Sequence, residues 1–140
     1  MRILVISDSH GRNDDVKGVL EQVGEIDMLI HCGDVERGDQ YIRDIAGCPV
    51  VMVAGNNDYY LDLPSEETIE VEGYRIWVTH GHPYYVNSGV DYLREYGEMH
   101  DVDVVMYGHT HVPFIEIGDD MTILNPGSIS YPRQAGRKPT

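Results

Sequence analysis

Residues 3–11 read Ile-Leu-Val-Ile-Ser-Asp-Ser-His-Gly, an apolar run followed directly by a short polar loop. Aliphatic residues in succession, most of them β-branched, are typical of a strand that is buried on both faces. Beyond this loop, apolar residues recur from Val16 to Val23 with the i, i+3, i+4, i+7 spacing of one helix face. We expect Asn13 or Asp14 to cap this helix and Gly24 to end it. The order strand, polar loop, helix is the unit on which the fold prediction is built.

The same unit recurs in the first half of the chain. Short apolar runs at 28–30 and 50–54 indicate two more strands, and residues 41–46 show a second helical face that Gly47 closes. Strands that alternate with helices imply a parallel sheet joined by right-handed crossovers. We therefore predict an α/β fold.

The second half has a different pattern. Alternating apolar and polar residues on both sides of Gly73 predict a hairpin over 68–79 with one buried face. Residues 88–91 resemble a capping box and are expected to open a helix that runs to about Met99. A buried strand and a second hairpin are expected after this helix, at 102–107, 114–117 and 121–124.

Composition excludes several classes of protein. The chain has 140 residues, so we expect one domain over 1–140, with a mobile polar tail over 133–140. The 24 acidic and 10 basic residues leave a net charge of −14, which argues against general nucleic-acid binding. The acidic groups form either a solvated surface or, in part, ligands for cations. No apolar run approaches the roughly 18 residues of a membrane helix, and neither a signal peptide nor a disulfide framework is indicated. We expect a cytoplasmic protein with no membrane partner.

Each of five predicted strands ends in residue types that bind metal ions, at 7–11, 31–34, 55–58, 79–82 and 108–111. Sites of open α/β sheets lie beyond the carboxyl ends of the strands, so these loops are expected to converge. In extended chain, residues two apart point to the same side, so Asp8 with His10 and His109 with His111 could each grip one site together. Imidazole, carboxylate and amide oxygen together suit Mn²⁺, Fe²⁺, Zn²⁺ or similar divalent ions.

The ordered set of motifs resembles the calcineurin-like metallophosphoesterases. The motifs are Asp8-x-His10, Gly33-Asp34, Gly55-Asn56-x-Asp58, His80-Gly81 and Gly108-His109-x-His111. The segments 79–82 and 125–128 are similar to the small bacterial and archaeal phosphodiesterase branch of that family, and the resemblance spans residue 2 to about residue 133. It implies a four-layer α/β sandwich, in which two mixed β-sheets are flanked by helices.

The resemblance also implies a site with two divalent metal ions, most often Mn²⁺, with Ni²⁺, Co²⁺, Fe²⁺, Zn²⁺ or Mg²⁺ as alternatives. Asp8, His10 and His111 would bind the first ion, Asn56, His80 and His109 the second, and Asp34 would bridge both. A hydroxide held between two such ions can attack phosphorus in line. The implied activity is a metal-dependent phosphodiesterase that hydrolyses a small phosphate ester.

The proton donor of this reaction is left open. Many larger members of the family have a histidine at the position of Asn57, and an amide cannot act as a general acid at neutral pH. His82 is the nearest candidate acid, or else a structural histidine, and Asp58 is expected to orient the site. Asn57 and His82 are the expected substrate contacts. His31 is expected to be structural.

Other residues near the motifs have two interpretations. No protein nucleophile is expected, because Ser7 and Ser9 lack an obvious base. Residues 125–128 are expected to form a tight turn, and Arg133 could contact a phosphate. Four tyrosines follow ligand motifs and could either line the site or pack at the bases of loops: Tyr59, Tyr60, Tyr84 and Tyr85.

Two alternatives to a complete enzyme are considered. Related small members continue through at least one more strand, so either this sheet is smaller or the chain is truncated. A retromer subunit of this fold serves mainly in protein assembly, and a non-catalytic scaffold is therefore the alternative function. Suitable residues at all seven ligand positions favour the enzyme. A nuclease is disfavoured by the acidic charge. The hairpin over 68–79 could pair in a homodimer.

Overall fold

The computed structural model describes residues 1–131, and the predicted tail over 133–140 and Arg133 lie outside the described residues. Two 3-10 turns, His82–Tyr84 and Val86–Ser88, lie between the second hairpin strand and the third helix. The helices and strands in chain order are β1 (Ile3–Ile6), α1 (Asn13–Val23), β2 (Met28–His31), α2 (Asp39–Ala46), β3 (Val50–Met52), β4 (Glu66–Val71), β5 (Tyr74–Thr79), α3 (Asp91–Met99), β6 (Val104–Met106), β7 (Phe114–Ile117) and β8 (Thr122–Asn125).

The strands form two sheets. The first has the order β1-β2-β3 and is parallel, with Ile3 opposite Met28 and Leu29 opposite Val50. The second has the order β4-β5-β6-β8-β7, in which β5, β6 and β8 are parallel and the edge strands β4 and β7 are antiparallel. The predicted α/β fold with two sheets is confirmed. Both sheets were expected to be mixed, but only the second is, because the hairpins lie in the second half of the chain.

The buried side chains show four layers. Val16 of α1 and Ile42 of α2 pack on the outer face of the first sheet, and Leu93 of α3 packs on the outer face of the second. A third apolar cluster lies between the two sheets and contains Ile30, Cys32, Val53, Ile76, Val78 and Met106. The order is helix, sheet, sheet, helix, as the family resemblance implied. Within residues 1–131, no helix has both the length and the apolar character needed to cross a membrane.

The helix ends agree with the predictions better than the helix starts do. Gly24 and Gly47 follow α1 and α2 with φ of +74° and +65°. The predicted caps are wrong: Arg12 is the N-cap of α1 and Val90 that of α3, and neither makes a side-chain capping hydrogen bond. The entry to α1 is set by tertiary contacts instead, since Gly11 N–H donates to the Val35 carbonyl at 2.9 Å.

The carboxyl ends of strands from both sheets meet at one edge of the sandwich. Asp8 N–H donates to the Gly33 carbonyl within the first sheet, at 2.9 Å, and Gly108 N–H donates to the His80 carbonyl within the second, at 3.0 Å. His109 N–H donates to Asp8 Oδ2 across the two sheets at 3.0 Å. The five polar loops therefore converge, as predicted from their positions at strand ends.

Candidate metal centre

The loops bring six of the predicted ligands into two adjoining clusters. In each cluster one nitrogen or oxygen atom per residue lies within 4.8 Å of the others. The first cluster consists of Asp8, His10 and His111, and the second of Asp34, His80 and His109. His109 and His111 thus belong to different clusters, so the spacing argument that they grip one site together is wrong, whereas it holds for Asp8 and His10.

Backbone conformation shows why spacing along extended chain is a poor guide for either pair. The predicted ligands Asp8, His10, His109 and His111 have φ of +54°, +50°, +72° and +63°, so these segments are tight left-handed turns rather than extended chain. Alternation of side chains along a strand does not apply to such turns. Left-handed backbone costs roughly 1–2 kcal/mol for a residue with a Cβ, so tertiary hydrogen bonds must hold it. One of them joins His10 N–H to the Asp34 carbonyl at 2.9 Å.

Within the first cluster, the Nε2 atoms of His10 and His111 lie 3.7 Å and 3.3 Å from Asp8 Oδ1. Within the second, His80 Nε2 lies 3.4 Å from Asp34 Oδ2 and 3.3 Å from His109 Nδ1. The clusters adjoin, because His10 Nε2 is 3.8 Å from Asp34 Oδ2. Asp34 therefore faces both clusters.

Asn56, the remaining predicted ligand, belongs with the second cluster. Its Oδ1 atom lies 3.1 Å from Nδ1 of His109. An amide oxygen adds a neutral ligand to the imidazoles and carboxylate already there. The structure therefore brings all seven predicted ligands to one edge of the sandwich.

Three of the imidazoles are oriented by a partner at Nδ1. The Nδ1 atoms of His80 and His111 lie 2.8 Å and 2.7 Å from the carbonyl oxygens of Cys32 and Tyr131. Carbonyl oxygens only accept, so Nδ1 carries the proton and Nε2 keeps its lone pair for a ligand. The third, His10, faces Oε1 of Glu36 at 3.1 Å. Sequence reasoning missed Glu36, which lies two residues after a predicted ligand.

An unpartnered atom tests whether a metal ion fits. Asp8 Oδ1 is buried and has no hydrogen-bond partner among residues 1–131, and the Nε2 atoms of His10, His80 and His111 surround it. A buried carboxylate oxygen without a partner is costly, and a cation supplies one. Imidazole and carboxylate atoms meet at this point, and the Asn56 amide oxygen lies beside His109 in the adjoining cluster. This donor set fits a divalent transition metal ion. The residues at this edge of the sandwich therefore fit a divalent metal ion.

The charges of the site are strongly coupled. Burial opposes ionisation of Asp8, but the neighbouring imidazoles of His10, His111 and His80 outweigh it and hold the Asp8 pKa far below its usual range. The neighbouring Asp8 carboxylate, opposed by burial and supported by Glu36, raises the His10 pKa to about 9. Without a cation, the carboxylates thus recruit protons onto imidazole, and a metal ion must displace these protons to bind.

Asn57, predicted to contact substrate, is hydrogen-bonded to the predicted ligand Asp34. Its backbone N–H donates to Asp34 Oδ1 and its Nδ2 donates to Oδ2, both at 3.0 Å. Burial opposes ionisation of Asp34, but His80 and the Asn57 N–H lower its pKa overall. The side chain that replaces the family's histidine therefore orients the carboxylate between the clusters. Its contact with substrate stays a prediction.

Asp58 ties two loops together. Its buried carboxylate accepts hydrogen bonds from the backbone N–H groups of Val35, Glu36 and Gly55 at 3.0, 2.6 and 2.9 Å. Both oxygens are used in this way, which supports the predicted orienting role over direct participation in the reaction.

Replacement of Asp58 by alanine should lower the free energy of unfolding by about 4 kcal/mol, because three backbone donors, two of them buried, lose a charged acceptor. Asp58→Asn keeps one acceptor oxygen and should cost about half as much. Urea unfolding of the metal-free protein measures both, with Asp62→Ala in an exposed loop as a control expected within about 0.5 kcal/mol of wild type. An unchanged urea midpoint for Asp58→Ala would contradict the assigned role.

His82 is exposed beside the second cluster. Its ring centroid lies 5.5 Å from that of His80 and 6.1 Å from that of His109. Burial and the neighbouring His80 and His109 lower its pKa. The position allows contact with a substrate, so its part as acid or substrate contact stays a prediction.

Ser9 and His31 form a buried pair that sequence reasoning did not foresee. The Ser9 hydroxyl lies 2.9 Å from His31 Nε2. The prediction that no possible base lies next to Ser9 is therefore wrong. The pair is nevertheless not a nucleophile and base. Gly33 N–H donates to His31 Nδ1, so Nε2 carries the proton and donates to the hydroxyl. Complete burial lowers the His31 pKa to about 4 and keeps the ring neutral, which confirms a structural histidine.

Residues 125–128 form the predicted turn, in which Gly127 N–H donates to Asn125 Oδ1 at 2.8 Å. The turn also braces two ligand loops. Asn125 Nδ2 donates to the Gly108 carbonyl at 3.1 Å, and the Ser128 hydroxyl donates to the Asp8 carbonyl at 2.8 Å. Sequence reasoning had no signal for these contacts, which span up to 120 residues.

The four tyrosines divide between the two interpretations. Tyr84 packs edge-on against Trp77 and donates to Glu66, and Tyr60 donates to the Glu36 carbonyl, so both support loops. Tyr59 and Tyr85 are 89% and 67% exposed, which leaves them available to a ligand.

Known proteins resemble this chain over most of its length. The family model described as calcineurin-like phosphoesterase superfamily domain matches residues 1–140. The probable metallophosphoesterase MJ0623 of Methanocaldococcus jannaschii is 41% identical over 138 residues, which cover 95% of this chain and 70% of the relative. Phosphodiesterase MJ0936 of the same organism is 28% identical over 145 residues, which cover 91% of this chain and 83% of the relative.

Solved structures share the fold. A protein of Streptococcus pneumoniae described as a predicted phosphoesterase matches with a TM-score of 0.83 and 35% identity, over 96% of this chain and 76% of the other. The Vps29 D62A mutant of Entamoeba histolytica matches with a TM-score of 0.79 and 26% identity, over 99% of this chain and 81% of the other. Proteins named phosphodiesterase and Vps29 therefore both occur among those that resemble this chain.

Proposed function

Because the chain belongs to the calcineurin-like phosphoesterase superfamily, we propose that it is a metal-dependent phosphodiesterase that holds two divalent ions, with Mn²⁺ as the preferred ion. The observation that carries the proposal is the unpartnered Asp8 Oδ1 at the junction of two ligand clusters. A single cluster would fit one ion. Two adjoining clusters with Asp34 facing both fit a binuclear centre.

The seven ligands divide by their positions. Asp8, His10 and His111 would hold one ion, Asn56, His80 and His109 would hold the other, and Asp34 would contact both. Bound ions of this kind lower the pKa of water and neutralise charge on phosphate oxygens. The protein's part is to keep Nε2 lone pairs and carboxylate oxygens aimed at one region of the sandwich edge.

The side chains favour esters with good leaving groups. Ser9 cannot serve as a nucleophile, because its histidine partner carries the proton that lies between them. Asn57 cannot protonate a departing oxygen, and its amide is bound to Asp34. Exposed His82 is the remaining candidate for that proton. We therefore propose activated or specialised phosphodiesters as substrates, in line with the name of the relative MJ0936.

A non-catalytic scaffold is the second candidate. The likeness to Vps29 is the observation that keeps this alternative open. The two candidates differ in what the ligand clusters must do, since a scaffold requires no turnover.

Hydrolysis of bis-p-nitrophenyl phosphate by metal-stripped protein, with and without Mn²⁺, separates the candidates. We expect no turnover without metal and sustained turnover with it. His111→Ala should abolish the activity, because it removes a ligand of the first cluster, while His100→Ala, at the exposed end of α3, should leave it unchanged. Absence of turnover with any divalent ion, in protein whose circular dichroism shows an intact fold, would overturn the enzyme and favour the scaffold.

A further inference from the structure

We propose that Glu36 is a positioning residue whose carboxylate orients His10 toward the first cluster, an inference that rests on the proposed metal-dependent function. Glu36 belongs to none of the motifs that carry the family resemblance. Its contacts nevertheless link the loop after β2 to the ligand His10 of the loop after β1.

The backbone of Glu36 is held on both sides. Its φ is +62°, a left-handed conformation that is uncommon for a residue with a long side chain. Its N–H donates to Asp58 Oδ1 at 2.6 Å, and its carbonyl accepts a hydrogen bond from the Tyr60 hydroxyl. The fold thus maintains a strained residue in one place, which determines where its carboxylate lies.

The carboxylate acts on one ring nitrogen. Oε1 of Glu36 lies 3.1 Å from His10 Nδ1, in a half-buried position where the side chains are 33% and 15% exposed. A carboxylate that accepts from Nδ1 leaves the lone pair on Nε2. That Nε2 atom lies 3.0 Å from His111 Nε2, inside the first cluster. Loss of the carboxylate would free the ring to rotate or to carry its proton on Nε2.

His10 differs from the other two oriented imidazoles in the kind of group that holds its Nδ1 atom. His80 and His111 bond to backbone carbonyls, which no side-chain substitution removes. The anchor of His10 is a side chain and can be altered without touching a metal ligand. Effects of Glu36 variants therefore report on the orientation of His10.

Three variants separate orientation from charge. Glu36→Ala removes the acceptor. Glu36→Gln keeps an acceptor oxygen at the same reach without the charge. Glu36→Asp keeps the charge on a chain that is one methylene too short, and aspartate tolerates left-handed backbone well, so this variant should fold. Glu21→Ala, on the exposed face of α1, is the control.

The readouts are Mn²⁺ affinity, from the electron paramagnetic resonance signal of free Mn²⁺, and the His10 Nδ1–H signal in proton–nitrogen spectra of the Zn²⁺-loaded protein. Glu36→Ala and Glu36→Asp should weaken binding at one of two positions by about 10–100-fold and lose the Nδ1–H signal to exchange with water. Glu36→Gln should retain the signal and stay within about threefold of wild type, because its oxygen still accepts from Nδ1. Glu21→Ala should match wild type.

Wild-type affinity in Glu36→Ala or Glu36→Asp would overturn the inference, as would a Glu36→Gln variant as weak as Glu36→Ala. Hydrolysis of bis-p-nitrophenyl phosphate in the same samples distinguishes the two proposals. Glu36-dependent metal binding without hydrolysis would overturn the proposed function alone. Hydrolysis by wild type with unchanged binding in Glu36→Ala would overturn the positioning role alone.

Discussion

Asp34→Ala is expected to lower kcat/KM for bis-p-nitrophenyl phosphate by at least about 1,000-fold in Mn²⁺-loaded protein. The reason is position: Asp34 Oδ2 lies 3.4 Å from His80 Nε2 and 3.8 Å from His10 Nε2, so one carboxylate serves both clusters. Alanine would remove the carboxylate that faces both clusters, and the Asn57 amide would lose its acceptor. The number of bound Mn²⁺ ions should fall from two to one or fewer.

The control for this variant is Asp44→Ala, which removes an exposed carboxylate on α2 that accepts a hydrogen bond from Gln40 on its own helix. It should keep wild-type kcat/KM. Circular dichroism should show the same fold for both variants. Retention of more than a tenth of wild-type activity in Asp34→Ala would show that the adjoining clusters do not work as one centre.

Gly55→Ala is expected to destabilise the protein by about 3 kcal/mol and to reduce kcat/KM by about 100-fold. A Cβ at Gly55 would lie 2.1 Å from Asp34 Oδ1 and 2.4 Å from the Asp34 backbone nitrogen. Because one of these atoms belongs to the backbone, a rotation of a side chain cannot relieve the overlap. The loop after β2 must move, and it carries both Asp34 and Glu36.

The same substitution at Gly18 is the matched control. Gly18 lies in the exposed part of α1, where an added Cβ meets nothing within 4 Å. Gly18→Ala should raise the free energy of unfolding by about 1 kcal/mol, because alanine favours helix over glycine. Urea unfolding of both variants shows whether the free energy of unfolding falls in Gly55→Ala and rises in Gly18→Ala. A Gly55→Ala protein as stable and active as wild type would show that the close approach of these loops is dispensable.

Local sequence was sufficient for the order of helices and strands and for the parallel character of the first half. The apolar run at 3–6 and the helical spacing from Val16 to Val23 report burial, and burial repeats with the period of the element. Residue type was equally informative at the strand ends. Imidazoles and carboxylates placed after β1, β2 and β5 predicted where ligands would gather, and the family motifs implied which side chains these would be.

Tertiary structure alone decided how those ligands are held. His109 and His111 lie in different clusters, whereas Asp8 and His10 share one, although the backbone is left-handed at all four residues. Contacts between distant loops, such as the hydrogen bond from His109 N–H to Asp8 Oδ2, therefore place these side chains. Contacts between residues distant in sequence also decide the helix starts, the hydrogen bonds from Asn57 to Asp34 and the Ser9–His31 pair.

Glu36 shows most clearly what local sequence cannot predict. Its sequence position carries no chemical signal, yet its N–H, carbonyl and carboxylate meet residues from two other loops. Periodicity reports which side of an element is buried and residue type reports what chemistry a side chain can perform. Which partners meet depends on hydrogen bonds between residues 20 to 120 positions apart, and only the packed sandwich brings those residues together.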